Sequence, residues 1–317
     1  MFGKKPIPVY LFTGFLDGGK TSFIRQTMDE GQFKDGRRTL YIVCEEGEEE
    51  IDEKRLKEND FVVKVIEDED DVTVELLEAF DKEVKPGRVI IEANGLWDVD
   101  EMLDAMPKLW QLAEVVTPVD STTFESYLAN MKMMMTNQFS YSDLVIFNRC
   151  SEEYDRAMFK RMVRAVNRGT QVLYETLEGK VEDNVPEEMP FDKEASVIEI
   201  EDDDFGIFYI DILDHLDTYV DKKVRFKALT FHPKNFVDKN TFVLGRNAMT
   251  CCAEDISFVG LPAEYDEQDK YKNNEWVMVT ATINAVVSKQ DNTPIPLIVV
   301  ENLENAQAPK EETVYFY

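Results

Sequence analysis

The sequence is poor in the residue types on which many catalytic and binding sites depend. Its 317 residues include four cysteines and two histidines. Four cysteines are too few for a disulfide-stabilised scaffold, and such sparse use is typical of a reducing compartment, so we expect a cytoplasmic protein. Two histidines give no Ser-His-Asp or Cys-His arrangement and no HExxH zinc motif. The chemistry has to be sought in other residue types.

Basic residues are also scarce, since 35 lysines and arginines stand against 64 aspartates and glutamates, for a formal net charge of −29. Sequence-independent binding to DNA, RNA or an anionic membrane needs a basic footprint, so we expect none of these partners. No uninterrupted apolar run approaches the roughly 18–20 residues that cross a bilayer. The apolar stretch 7–16 is too short for a span and lacks a small-residue cleavage site, so we expect neither membrane insertion nor a signal peptide.

The length predicts two domains at about 150 residues each, and the hydropathy pattern changes near 185–205. Before this point, short apolar runs alternate with helix-like stretches, which is typical of a parallel sheet covered on both faces. After it, one amphipathic helix is followed by strand-like runs separated by turn residues such as Gly260 and Pro262. We therefore expect an α/β domain over 1–190 with a mostly parallel sheet, and a smaller β-rich domain over 205–317, an OB-like barrel.

The pattern also predicts the individual elements. In the first domain the expected strands are 8–12, 39–44, 88–91, 115–119, 144–147 and 171–174, and the expected helices are 21–28, 72–83, 99–106, 121–135 and 154–166. In the second domain we expect a helix over 207–219 and strands over 224–231, 241–244, 276–286 and 296–300.

The strongest motif lies between the first predicted strand and helix. Residues 14–21 read Gly-Phe-Leu-Asp-Gly-Gly-Lys-Thr and match GxxxxGK[ST] without a mismatch. Backbone N–H groups of such a loop wrap phosphates at the positive end of a helix dipole. Lys20 is expected to reach the β- and γ-phosphates, and the hydroxyl of Thr21 to bind Mg²⁺. The nucleotide-binding candidates in this loop are Gly14, Asp17, Gly18, Gly19, Lys20, Thr21 and Ser22.

Two carboxylates follow the ends of other predicted strands. Glu92 ends the apolar strand 88–91, and Gly95 follows where a backbone N–H can approach the γ-phosphate. With Thr21, Glu92 is a candidate ligand of Mg²⁺ or of its water. Glu45 is a second candidate for the metal or for orienting water, although the acids 46–50 as a group favour a solvated loop. The catalytic candidates are Lys20, Glu92 and Glu45.

These segments together resemble the CobW/HypB/UreG family of P-loop GTPases, and its CobW-like branch in particular. That branch reads approximately GFLGxGKTT, then NExGE, then a strand that ends in ExxG, and the counterparts here are residues 14–22, 44–48 and 92–95. Residues 116–120 and 138–148 are similar to the family's later core strands. The resemblance covers residues 5–185 and implies nucleotide hydrolysis with Mg²⁺, coupled to metal insertion or trafficking. It also implies a client metalloprotein or transport protein, and a client or a homodimer partner could supply a catalytic arginine.

One departure from the family concerns the nucleotide base. The guanine-reading NKxD is Asn-Arg-Cys-Ser at 148–151, so Asn148 is kept and the aspartate that accepts two guanine bonds becomes Ser151. Losing that acceptor costs about 1–3 kcal/mol of base discrimination. Glu152 or Glu153 could substitute, and the cofactor is therefore Mg²⁺ with either GTP or ATP.

Other departures concern metal binding. The family's CxCC motif is absent, and the acidic run 67–71 stands near its place. Carboxylates could hold Mg²⁺, Ca²⁺ or Mn²⁺ but do not reproduce a soft thiolate site, and a solvated acidic turn is the plainer interpretation. Asp17 and Cys44 also replace the usual glycine and asparagine.

The second half contains adjacent cysteines within an RxxxTCCxxD stretch that runs from Arg246 to Asp255. With a later WVxV strand at 276, this stretch resembles the C-terminal domain of an uncharacterised family of bacterial proteins described as permease subunits. The resemblance covers 205–317 and implies a link with transport of small solutes or metals. Cys251 and Cys252 are candidate ligands of Zn²⁺ or Cu⁺, with Asp255, Glu254 or His232 to complete the site. The favoured interpretation is one buried and one partly exposed structural thiol, and a redox pair is a third alternative.

The sequence thus predicts a cytoplasmic, Mg²⁺-dependent nucleoside triphosphatase, a GTPase in the first place, fused to a small β-domain. Its expected role is a nucleotide-gated switch or chaperone in metal homeostasis or transport. Two alternatives stay open. One is a scaffold with a degenerate nucleotide site that presents its β-domain to a partner, and the other is a P-loop phosphotransferase.

Overall fold

A computed structural model of the chain describes residues 5–45, 47, 51–183, 189–233, 240–250, 255–288 and 292–316. The chain divides into two units, Met1–Arg156 with Val166–Val185, and Ala157–Ala165 with Pro186–Tyr317. The division into domains 1–190 and 205–317 stays a prediction about which parts fold independently. None of the helices in the described ranges is long and apolar enough to cross a membrane.

The first unit contains an eight-stranded sheet. Its strands are β1 (Ile7–Phe12), β2 (Thr39–Val43), β3 (Phe61–Val65), β4 (Arg88–Glu92), β5 (Trp110–Asp120), β6 (Leu144–Asn148), β7 (Gln171–Glu175) and β8 (Val181–Glu182). They lie in the order β3-β2-β4-β1-β5-β6-β7-β8, and the pairings are parallel except that of β7 with β8. The predicted mostly parallel sheet is confirmed. The carboxyl ends of β1, β2, β4, β5 and β6 meet at one edge, where ligands of such sheets bind.

The helices that alternate with these strands are α1 (Lys20–Asp29), α2 (Glu53–Glu58), α3 (Val74–Val84), α4 (Val99–Asp104), α5 (Ser121–Asn130) and α6 (Lys132–Tyr141). Helix α7 (Arg156–Val166) follows β6 along the chain, and most of it belongs to the second unit. Four of these helices have a polar N-cap residue whose side chain accepts a hydrogen bond from a backbone N–H of the first turn. These residues are Asp52, Thr73, Asp98 and Asp120. The single helix predicted over 121–135 is wrong, since the chain breaks at Met131 into α5 and α6.

Apolar clusters cover both faces of the sheet. Val9 and Leu11 of β1 pack in a cluster with Leu77 of α3, whereas Phe12 packs in another cluster with Ile24 of α1. Successive residues of a strand point to opposite faces, so β1 contributes to both layers. Its burial between two layers places the loop after β1 on a rigid base.

The second unit contains β9 (Ile198–Glu199), α8 (Phe205–Asp214), β10 (Lys223–Phe231), β11 (Thr241–Ala248), β12 (Ser257–Glu264), β13 (Trp276–Val287), β14 (Pro294–Asn305) and β15 (Thr313–Val314). The pairing runs β10-β11-β12-β14-β13 and returns to β10, and only β12 with β14 is parallel within this ring. Five strands therefore close into a barrel, as expected for an OB-like domain.

Two sequence predictions in this unit are wrong. Gly260 and Pro262 lie within β12 instead of in a turn, and Gly260 pairs with Gly245 of β11. A Cβ on Gly260 would lie 2.9 Å from the carbonyl oxygen of Leu244, so the glycine permits a close approach of two strands. The predicted helix 207–219 ends earlier, because α8 stops at Asp214 and a one-turn 3₁₀ helix follows at Leu216–Thr218.

A buried carboxylate, Asp211 of α8, organises part of this unit. It pairs with the ammonium of Lys193, accepts a hydrogen bond from the hydroxyl of Tyr219, and lies 2.9 Å from Nδ1 of His215. Burial alone would raise the pKa of Asp211, but the hydrogen bonds from Lys193 and Tyr219 outweigh it and lower the pKa. Folding therefore favours the ionised carboxylate of Asp211 over its protonated form.

Replacing Asp211 with asparagine is expected to lower the free energy of unfolding by about 2 kcal/mol at pH 7. A lowered pKa stabilises the fold fully only above the ordinary value of 3.8, and the contribution is lost as pH falls through the folded value. Urea denaturation at pH 7 and at pH 2.5 measures this difference, which should shrink at the lower pH. Asp217→Asn, at an exposed position nearby, is the control. A loss of equal size at both pH values would contradict the prediction.

Candidate functional site

The loop between β1 and α1 is held in a conformation that requires glycine. Gly14 has φ +116° and Gly19, which precedes α1, has φ +102°. A Cβ on Gly14 would lie 2.7 Å from the carbonyl oxygen of Pro118, and one on Gly19 would lie 2.6 Å from Nδ2 of Asn148. Asp17 also has positive φ and is exposed. The two glycines therefore allow the loop to pack closely against the ends of β5 and β6.

Lys20 is buried at the beginning of α1, with 3% of its surface exposed. Its ammonium donates to the carbonyl oxygens of Gly14 at 2.7 Å and Phe15 at 3.0 Å. It also lies 2.5 Å from Oε2 of Glu45, which follows β2. These three acceptors fix a positive charge inside the loop.

Thr21 and Glu92 lie side by side. The hydroxyl of Thr21 donates to Oε1 of Glu92 at 2.6 Å, and the hydroxyl of Tyr41 donates to Oε2. Burial, followed by the negative charge of Glu92, raises the pKa of Tyr41, so Tyr41 stays a donor. A hydroxyl and a carboxylate so close together are the hard oxygen ligands that Mg²⁺ prefers, and these residues therefore fit that ion.

The thiol of Cys44 lies in the same part of the chain and is buried. Burial raises the pKa of Cys44 to about 12, and the charges of Glu92 and Glu45 act in the same direction. The thiolate is the form that binds metals and reacts, so this shift favours the less reactive thiol form of Cys44 at neutral pH.

The turn after β4 touches the phosphate loop. The N–H of Gly95 donates to Oε1 of Glu45 at 3.4 Å, and its carbonyl oxygen accepts from Nε2 of Gln138 at 2.6 Å. A Cβ at Gly95 would lie 2.5 Å from the carbonyl oxygen of Gly14 and 2.6 Å from Cα of Phe15. Glycine at this position therefore allows two backbone segments to meet.

A cleft of about 310 Å³ opens above these groups. Asp17, Gly19, Lys20, Thr21, Ser22, Glu45, Glu92, Asp120 and Arg149 are among the residues that line it. Arg149 donates to Oδ2 of Asp120 at 2.6 Å and to the carbonyl oxygen of Asp17 at 3.3 Å. The structure thus brings most of the predicted site residues to one cleft, while Gly14, Gly18, Gly95 and Asn148 are not among the residues that line it.

A second cleft of about 340 Å³ adjoins the first, and it is lined by Asn148, Arg149, Glu175, Thr176 and Leu177 among others. Asn148 donates to the carbonyl oxygen of Gly18 at 2.6 Å, which ties β6 to the phosphate loop. Ser151 is not among the lining residues, and its hydroxyl accepts the N–H of Glu153 at 3.3 Å.

The site residues that sequence reasoning missed are Tyr41, Asp120 and Glu175, of which Asp120 could have been found as the polar end of an apolar strand.

The candidate zinc site is not tested by the structure, because Cys251 and Cys252 lie outside the described residues. Asp255 accepts the N–H of Thr250 at 3.3 Å. His232 stacks on Phe242 at the beginning of β11, whereas the two cysteines follow the end of that strand. Within the described part of the chain, no group of three His, Cys, Asp or Glu side chains is arranged to hold a metal.

Comparison with known proteins gives two family matches that divide the chain. The model of the CobW/HypB/UreG nucleotide-binding domain matches residues 8–174, and that of the DUF1980 C-terminal domain matches residues 176–316. A search of curated proteins returned no match.

The chain also resembles solved structures at low identity. Hydrogenase maturation factor HypB from Archaeoglobus fulgidus is 15% identical over 55% of this chain and 82% of its own, with a TM-score of 0.39. The Zn(II)-bound YjiA GTPase from E. coli is 16% identical over 81% of this chain and 89% of its own, with a TM-score of 0.41.

Proposed function

Because the chain belongs to the CobW/HypB/UreG family and carries that family's nucleotide-binding domain, we propose that it is a Mg²⁺-dependent nucleoside triphosphatase that hydrolyses GTP. The observation that carries this proposal is the convergence of Lys20, Thr21 and Glu92 at the mouth of the phosphate loop. The hydroxyl of Thr21 lies 2.6 Å from Oε1 of Glu92, and the buried Lys20 lines the same cleft.

Catalysis of phosphoryl transfer consists mostly of positioning and charge stabilisation. The backbone N–H groups of the loop bind the phosphates, and Lys20 neutralises their charge. Thr21 and Glu92 would hold Mg²⁺, which supplies positive charge to the phosphate oxygens when bound. Tyr41 orients Glu92 through its hydrogen bond. Arg149 is already paired with Asp120, so slow turnover is expected unless a client or a second copy adds an arginine.

The proposed base is guanine. Asn148 lines the adjoining cleft and is held by Gly18. Since Ser151 replaces the expected aspartate, discrimination against ATP is expected to be weaker by about 1–3 kcal/mol than with the full motif. Binding of GTP and ATP has to be compared directly.

We place this activity in a cytoplasmic switch or chaperone whose client is a metalloprotein or a transport protein. The family membership supports that role. Zinc binding by Cys251 and Cys252 stays a separate hypothesis, and the zinc content of the purified protein tests it.

Two measurements test the proposal. Calorimetric titration with GTP, GDP and ATP, each with MgCl₂ or with EDTA, measures binding, and an assay of released phosphate measures hydrolysis. GTP binding and phosphate release that require Mg²⁺ support the GTPase. Equal binding of ATP would mean that the altered base loop has relaxed the choice of base. Loss of triphosphate only in the presence of an acceptor would favour the phosphotransferase. No binding of any nucleotide would favour the scaffold and reject the proposal.

Replacing Gly95 with alanine is expected to weaken GTP binding by about tenfold or more, because the new Cβ forces the phosphate loop or its neighbouring turn to move. The clash involves backbone atoms of Gly14 and Phe15, which cannot rotate away. Calorimetry measures the dissociation constant. Gly169→Ala is the matched control, because its Cβ would first meet a side-chain oxygen of Asn167 at 3.3 Å. Unchanged binding by Gly95→Ala would show that this turn does not set the loop's geometry.

A further inference from the structure

The carboxylate of Glu45 is bound by two groups, Lys20 and Gly95, that the sequence motifs place near the terminal phosphate. Its Oε2 lies 2.5 Å from the ammonium of Lys20, and its Oε1 accepts the N–H of Gly95 at 3.4 Å. The side chain is 11% exposed, so water screens these interactions little. The carboxylate of Glu45 thus occupies the two donors that the γ-phosphate of a nucleotide would need.

We propose that Glu45 is an internal competitor of the γ-phosphate and sets the preference between nucleoside triphosphate and diphosphate. This inference rests on the proposed function. A triphosphate has to displace Glu45 from Lys20 and Gly95, because two negative groups cannot share the same donors without repulsion. A diphosphate also needs Lys20 for its β-phosphate, but it lacks the phosphate that would displace Glu45 from Gly95. Glu45 therefore weakens binding of the triphosphate more than binding of the diphosphate.

The structure provides space for the displaced side chain. Glu45 also lines a second groove of about 720 Å³, which is lined as well by the exposed side chains of Leu16 and Leu96. The N–H of Cys44 donates to the carbonyl oxygen of Glu92 at 2.9 Å, which fixes the backbone just before Glu45. Because Glu45 lines both the cleft and the groove, rotation of its side chain toward the groove would free Lys20.

The test is Glu45→Gln, which keeps the shape of the side chain and removes its charge. The dissociation constants of GTP and GDP are measured by calorimetry with MgCl₂. Charge-assisted hydrogen bonds are strong enough that we expect GTP to bind about tenfold more tightly, with a smaller gain of at most about threefold for GDP. Glu67→Gln is the matched control, since Glu67 is an exposed carboxylate that lines the same groove. It should leave both constants within about twofold.

The outcomes separate this inference from the function beneath it. A wild-type protein that binds neither nucleotide rejects the proposed function and the inference together. If wild type binds both, weaker GTP binding by Glu45→Gln overturns the inference and identifies Glu45 as a group that helps to hold the metal or orient water. An equal gain for GTP and GDP, or the same gain with Glu67→Gln, overturns it as well. Should Glu45→Gln fold poorly in a thermal melt, Glu45→Ala is expected to give the same selective gain.

Discussion

Replacing Lys20 with alanine is expected to weaken GTP binding by at least about a hundredfold and to abolish phosphate release, because two charge-assisted hydrogen bonds of about 1.5–3 kcal/mol each are lost. The other cation that lines the cleft, Arg149, is already paired with Asp120. Calorimetric titration with GTP and a phosphate-release assay measure the two effects.

The control is Lys54→Ala, which removes one positive charge from a side chain that is 83% exposed. Lys20→Ala also leaves Glu45 without its partner in a site that is 11% exposed, so a thermal melt has to accompany the titration. Lys20→Met keeps the aliphatic stem and separates the loss of charge from the loss of packing. Wild-type affinity in both Lys20 variants would show that the nucleotide is not held by this loop.

The phosphate loop could be predicted because its geometry is set by adjacent residues. A buried strand, two glycines with positive φ and a helix that begins at Lys20 follow one another within a few residues. The same reasoning located Glu92, since a polar residue at the end of an apolar parallel strand lies at the functional edge of the sheet. Local sequence therefore carries the position of these groups.

The partners of these groups could not be predicted, because they come from distant parts of the chain. Tyr41 lies within the apolar run of β2, so the sequence alone predicts a core residue. Only the register of β2 against β4 brings its hydroxyl within hydrogen-bond distance of Glu92. The pairing of Lys20 with Glu45 joins residues 25 positions apart. Such contacts depend on strand order, which hydropathy does not encode.

Strands β3 and β12 were not predicted from the sequence, because the residue patterns of both are unusual for strands. β3 lies at the edge of the sheet with a burial pattern in which Lys64 alternates with apolar residues, so it lacks the continuous apolar run of a central parallel strand. β12 contains Gly260 and Pro262, which are typical turn residues. In the closed barrel Gly260 instead provides the room for β11 to approach.

Replacing Arg246 with alanine is expected to lower the free energy of unfolding of the second unit by about 4 kcal/mol, since it leaves a cavity and unpaired carbonyl oxygens. Arg246 is completely buried, and the Cζ atom of its guanidinium lies 4.9 Å from the centroid of the Trp276 ring. It donates to the carbonyl oxygens of Glu311 at 2.9 Å and of Asp202 at 3.3 Å. One side chain of β11 thus fastens the segment before β15 and the segment before α8.

Differential scanning calorimetry of the full chain measures this loss. Arg225→Ala is the control, because Arg225 lies on β10 with 45% of its side chain exposed and pairs with Glu199 at 3.4 Å. Arg246→Lys keeps the charge but not the planar fork that reaches several carbonyl oxygens, so it should recover only part of the stability. A small loss in Arg246→Ala would mean that the segments hold without this arginine. A large loss would assign the first residue of the RxxxTCCxxD stretch to the stability of the barrel, and would leave Cys251 and Cys252 as that stretch's candidates for metal chemistry.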